Sequence, residues 1–214
     1  MTEDKAPREV EIGPKKLKGL LGVPEHAKGL VIFAHGSGSG RLSPRNNHVA
    51  AALRRQGLAT LLLDLLTPRE EADRRNVFDV VLLAGRLVAA TEWAEAQPEL
   101  QGLRIGYFGA STGAAAALVA ASKPGGRVAA VVSRGGRPDL AGPTLPHVAA
   151  PVLLIVGGLD GVVIDLNREA FADLQAKKEM VIVPGASHLF EEPGTLDQVI
   201  EHALRWFLTY LPEK

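Results

Sequence analysis

Residues 103–122 read LRIGYFGASTGAAAALVAAS, and they divide into three parts. The apolar Ile105, Tyr107 and Phe108 favour a strand, which stops at Gly109-Ala110-Ser111-Thr112-Gly113; the alanine-rich run that follows favours a helix. A serine in G-x-S-x-G between strand and helix matches a nucleophile elbow, where each glycine removes a side chain that would collide across the tight turn. Ser111 is then expected in strained, exposed backbone. The helix behind it would aim free amides and its positive dipole end at any charge forming over the hydroxyl. The pattern also arises by chance, and small residues let a helix pack closely on a sheet, so the flanking sequence has to decide.

Before the elbow, residues 29–35 (GLVIFAH) form a continuous β-favouring run, as expected of a strand covered on both faces, and Gly36-Ser37-Gly38-Ser39-Gly40 follows. Residues 44–56 read as a helix capped by Ser43 and stopped by Gly57. Residues 58–65 (LATLLLDL) read as a strand. A helix over 76–96 would bury Phe78, Val81, Leu82, Gly85, Val88, Ala89 and Trp93. At the start, 10–12 and 17–23 flank Gly13-Pro14 as an edge hairpin. After the elbow come strands at 128–133, 151–156 and 179–183 and helices at 165–176 and 196–211; residues 134–150, broken by prolines and glycines, offer little regular structure. Strands alternating with helices predict one α/β domain over residues 1–214, with a mostly parallel sheet, helices on both faces and no lid domain.

In such sheets, sites form at the carboxyl ends of the strands. Ser111 meets that test, and so do Asp160 in Gly157-Gly158-Leu159-Asp160-Gly161 and His188 in Pro184-Gly185-Ala186-Ser187-His188. Serine, acid and histidine in this order are the α/β-hydrolase triad order. A serine hydroxyl is a poor nucleophile until a base takes its proton; His188 would do so, held in the useful tautomer by Asp160. Asp139 is the substitute acid, and Asp165 reads as a helix N-cap. An oxyanion needs donors already in place, and the amides of Thr112 and Ser37 are the expected pair, with Gly38 the neighbouring choice. Arg134 and Arg137 could favour an anionic substrate, Arg134 being the residue assigned to substrate binding; a pair of solvated or sheet-capping arginines is the plainer alternative. Arg41 and Arg45 invite the same two readings. His35 reads as a structural residue at a strand end, and Glu191 and Glu192 as the start of the final helical region.

Composition removes other classes. Lys plus Arg and Asp plus Glu both number 24, so nothing points to nucleic acid or an anionic membrane surface. The absence of cysteine excludes thiolate zinc sites, disulfides and a cysteine nucleophile. His26, His48, His147 and His202 lack ligand-like spacing, which leaves no support for a metal. The glycine loop after residue 35 fails both phosphate-binding fingerprints: G-x-x-x-x-G-K-[ST] is absent, and Arg41 follows where G-x-G-x-x-G needs its third glycine. No cofactor is called for. The charged opening MTEDKAPREV has no apolar leader segment and no run approaches a membrane span, so a cytoplasmic location is expected. A homo-oligomer is left open.

With elbow, HGSGSG and the Asp and His placements together, the chain resembles the α/β-hydrolase superfamily over nearly its whole length. Within it, HGSGS, YFGASTGAAAAL, SRGGRPDLAG, LLIVGGLD and VPGASHLFEEPG look like a lidless, serine-nucleophile subset of the dienelactone hydrolase-like group. Dienelactone hydrolases proper use a cysteine nucleophile and carry a glutamate in the oxyanion loop; Ser111 and Gly36 stand at those positions here. The resemblance therefore implies serine ester chemistry on a small or exposed ester, in an open, shallow site. The same triad could serve a thioesterase, amidase or acyltransferase, and a hydrolase fold can also host a non-catalytic binding module.

Overall fold

In the computed structural model of the chain, which describes residues 6–125 and 127–212, a hairpin comes first. β1 (Arg8–Ile12) and β2 (Leu17–Gly22) pair antiparallel about the Gly13 turn. The charged residues 1–5, part of the opening read above, lie outside the described residues. β3 (Leu30–Ala34) leads into α1 (Pro44–Arg55), which Ser43 caps by accepting from the Asn46 amide. Next come β4 (Ala59–Leu63), the short α2 (Pro68–Glu71) and α3 (Arg74–Val77), and the long α4 (Val80–Glu95). β5 (Ile105–Ala110) and α5 (Thr112–Ala121) form the elbow. β6 (Val128–Arg134), β7 (Val152–Gly157), α6 (Gly161–Asp173), β8 (Lys178–Val183) and α7 (Thr195–Tyr210) follow.

The strands lie in one sheet in the order β1-β2-β4-β3-β5-β6-β7-β8, antiparallel at β1-β2-β4 and parallel from β4 to β8. The chain steps outward from β3 to β4 and then returns to lay β5 on the other side of β3. Between β3 and β5, loops therefore depart in opposite directions and open a crevice at the carboxyl edge. Alternate residues of each strand face opposite layers. Val31 and Phe33 join Phe108, Val49, Leu53 and Phe207 under α1 and α7, whereas Ile32, Tyr107, Leu87 and Leu118 pack under α4 and α5. α5 is buried throughout from Thr112 to Ala120. A helix apolar on every side has to sit inside the protein, and alanine lets it lie close to the sheet.

Three expectations are corrected. The single helix over 76–96 is broken at Phe78, and Asp79 starts α4 by accepting from the Leu82 amide. This sets the register so that Leu83, Ala84, Leu87, Ala90 and Ala94 are buried while Phe78 and Val81 are exposed. α6 starts at Gly161, with Asp160 rather than Asp165 at its N-cap position; Asp165 pairs with Arg168 at the surface. Pro138–His147 forms short 3-10 turns split by Gly142, whose φ is +47°, because proline presets the φ of a tight turn. This segment packs on α5 and α6.

Candidate active site

At the end of β5 the chain reverses through Ser111, whose φ of +51° and ψ of −124° are costly for a residue with a side chain. The surroundings impose that conformation. A Cβ on Gly109 would lie 2.4 Å from Ala114 Cα, and one on Gly113 would lie 2.2 Å from Ala34 O. Only glycines let β5, α5 and the end of β3 approach this closely. The Ser111 amide donates to Arg134 O (3.4 Å), and Ser111 O accepts from the amides of Ala114 and Arg137, each at 3.1 Å. Ser111 then lines a cavity of about 520 Å3 whose walls include Ser37, Arg45, Asn46, Arg134 and His188.

Two neighbouring loops bring the other predicted residues together. After β7, the amides of Gly158 and Leu159 donate to Val183 O and Ala186 O, at 2.8 and 2.9 Å, and this ties the Asp160 loop to the His188 loop. His188 Nδ1 donates to Asp160 Oδ2 at 2.7 Å. With the carboxylate as acceptor, the proton sits on Nδ1 and Nε2 is left as the basic atom. The Asp160 carboxylate makes no capping bond to α6. Glu192 lies in the loop before α7, not in the helix, and accepts from the Ser187 amide at 3.0 Å. That bond holds the Glu192 carboxyl below its ordinary range and fixes the histidine turn. Among the described residues no hydrogen bond joins Ser111 Oγ to His188, although both line the cavity.

Across the crevice, the loop after β3 passes so close to the elbow that a Cβ on Gly36 would lie 2.9 Å from Ser111 Cβ. The amides of Ser37 and Thr112 donate to no backbone acceptor among the described residues. Two anchors hold this loop. Leu65 N donates to His35 Nε2 at 3.0 Å, so Nδ1 carries the proton and donates to Gly36 O at 2.9 Å. Asp64 accepts from the Arg41 amide at 2.7 Å and from Arg41 Nη1 at 2.6 Å. Arg41 is therefore a loop anchor, and Asp64, read in the sequence as part of a strand, lies beyond β4. A second, smaller cavity of about 200 Å3 lies on this loop's other side, walled by Leu42, Leu66, Val77, Leu83 and Thr112.

The two arginines of SRGGRPD part company. Arg137 makes a two-pronged bond to Asp139, at 2.9 and 2.8 Å, so in this structure each is engaged by the other, while His188 is paired with Asp160. Arg134 is 6% exposed, lines the Ser111 cavity and donates from Nη2 to Asn46 Oδ1 at 3.2 Å. Arg45, on the same wall, pairs with Glu191 at 2.9 Å. Asn46 carried no signal in the sequence beyond a place in the first turn of α1.

The sequence profile of the dienelactone hydrolase family matches residues 17–207. This chain belongs to the dienelactone hydrolase family. A crystal structure described as dienelactone hydrolase from Anabaena variabilis is 56% identical, covers 98% of this chain and 99% of its own, and superposes with a TM-score of 0.92. A Mycobacterium tuberculosis protein named as a putative phosphoribosyl transferase is 58% identical over 203 residues, which make up 95% of this chain and 46% of that protein. The chain spans about half the length of the curated relatives it matches there. Est1E from Butyrivibrio proteoclasticus, at 15% identity and a TM-score of 0.80, shares the fold. The chain has the α/β-hydrolase scaffold of these structures, and no helix among the described residues is long and apolar enough to cross a membrane.

Proposed function

We propose that the protein is a serine hydrolase that cleaves a carboxylic ester through an acyl-enzyme. The observation that carries this reading is Ser111, held at the elbow in the same cavity as an imidazole whose Nδ1 is fixed on Asp160 at 2.7 Å. Ser111 Oγ attacks the ester carbonyl carbon and gives its proton to His188 Nε2, and the carbonyl π electrons move onto oxygen. The amides of Thr112 and Ser37 receive that oxyanion, helped by the positive end of α5. As the intermediate collapses, the bond to the alcohol oxygen breaks and His188 returns the proton to the departing alcohol. Water, deprotonated by His188, then attacks the acyl carbon; the bond from that carbon to Ser111 Oγ breaks, His188 returns the proton to Oγ and the carboxylic acid leaves. Asp160 keeps the imidazole oriented and offsets its charge while it is protonated. The transferase in the relatives' name is kept to those longer proteins.

The deciding experiment is active-site labelling. A fluorophosphonate should modify Ser111 alone, and Ser111→Ala should lose both labelling and turnover of p-nitrophenyl butyrate while keeping the wild-type circular dichroism spectrum. Turnover that survives the substitution removes Ser111 as nucleophile; a folded wild type that neither labels nor turns over ester removes the hydrolase reading.

A further inference from the structure

Arg134 stands at the end of β6, next to the elbow, with almost its whole guanidinium out of bulk water. A buried charge is costly unless it is paired, yet among the described residues no carboxylate lies within salt-bridge distance of it. The neighbouring acids are engaged elsewhere: Asp139 with Arg137, Glu191 with Arg45 and Asp160 with His188. Its protein partners are neutral. Nη2 donates to Asn46 Oδ1, and the Phe190 ring lies 5.9 Å from Cζ. Nε is buried with no acceptor. Burial first, and then the charge of Arg45, draws its pKa down to about 10, which still leaves it protonated at neutral pH.

The cavity agrees with this imbalance. Its lining includes Arg134 and Arg45, the latter paired with Glu191 outside the lining, and not one carboxylate side chain. A cleft with one sign of charge and low-dielectric walls concentrates ions of the opposite sign, and a planar guanidinium suits the two oxygens of a carboxylate or phosphate. The smaller cavity across the Gly36–Gly40 loop has an apolar wall of Leu42, Leu66, Val77 and Leu83. The two spaces flank the elbow and differ in character.

Resting on the serine ester reading, we infer that Arg134 is a specificity-determining residue that binds an anionic oxygen group of the substrate, a carboxylate or a phosphate, in the Ser111 cavity. The missing counter-charge is supplied by the substrate itself, and Asn46 and Phe190 hold the guanidinium ready for it. Preference for a charged substrate then comes from pairing a cation that the fold leaves unpaired.

The test compares kcat/KM for the p-nitrophenyl monoester of glutaric acid with that for p-nitrophenyl pentanoate, which is similar in length and neutral. Wild type should favour the anionic ester at least tenfold. Arg134→Met should lower that ratio at least tenfold, mainly through KM, and Arg134→Lys should restore part of it. A second measurement needs no variant: glutarate or inorganic phosphate should slow fluorophosphonate labelling of Ser111, while neutral glutaramide should not. Whichever anion protects at lower concentration identifies the carboxylate or the phosphate. A wild-type ratio near one, a ratio unchanged in Arg134→Met, or labelling indifferent to both anions overturns the inference. Failure of this inference is distinct from failure of the function: the wild type would still cleave the neutral ester and still be labelled.

Discussion

On the β3 side of Ser111, the cavity is walled by main chain, placed by how closely backbones approach; on the β6 to β8 side it is walled by side chains, placed by their partners. The first side depends on missing atoms. Gly36 and Gly113 fit because nothing projects from them, and His35 and Asp64 hold the loop from behind. The second side depends on paired atoms, Asp160 with His188 and Asn46 with Arg134. The two should therefore fail differently. Enlarging a residue should damage the first side through stability, whereas a change of one atom should damage the second through rate while the fold survives.

Asp160→Asn is the largest test of that contrast. It keeps the shape and removes the charge that selects the Nδ1–H tautomer, so kcat should fall about 10^4-fold with an unchanged unfolding midpoint. Asp139→Asn, which breaks only a partly exposed pair with Arg137, should leave kcat within about threefold of wild type, since such pairs are worth little. Stopped-flow or steady-state rates on one ester decide it, and a greater loss from Asp139→Asn would reverse the assignment of the acid. On the other side, Gly113→Ala sets a new Cβ against Ala34 O and His35 O, at 2.2 and 2.5 Å. Both are backbone atoms, so α5 and β3 must part, at a cost of about 3 kcal/mol. A denaturant midpoint equal to that of wild type would show that the close approach is not needed.

How far the sequence revealed this follows from the same contrast. The elbow was legible because its requirement is local: two glycines about a serine, between a strand-forming and a helix-forming run. The meeting of Ser111, Asp160 and His188 at one edge was legible because each follows its own strand, and a parallel sheet gathers strand ends. The register of α4 was hidden, since Val80, Val81, Leu82 and Leu83 offer apolar residues to every side and the choice falls to the break at Phe78 and the cap at Asp79. Asp64 was hidden inside LATLLLDL, because the sheet ends at Leu63 and frees the carboxylate to reach Arg41. Arg137 is claimed by a local partner, Asp139 two residues on, whereas the fate of Arg134 is decided by tertiary neighbours, Asn46 and Phe190, which no local pattern announces.

The smallest expected effect is on the anchor behind the backbone-built side. Burial, the largest cause, lowers the pKa of His35 from the ordinary 6.5, against opposing contributions from its bond to Gly36 and the charges of Asp64 and Glu71. Protonation would also place a proton on Nε2, where the Leu65 amide already points its own. The unfolded chain takes up this proton near pH 6.5 and the folded chain only at lower pH, so between the two values the unfolded state holds more protons. Stability from neutral His35 is therefore complete above about pH 6.5, drains as pH falls through that interval and levels off below the folded value. One group changes the slope by at most one proton, about 1.4 kcal/mol per pH unit. His35→Gln still offers one donor and one acceptor but cannot titrate, so its stability should fall less steeply than that of wild type between pH 6.5 and 5. Parallel urea titrations across that range would read the difference, and identical slopes would mean that His35 holds the loop without coupling it to pH.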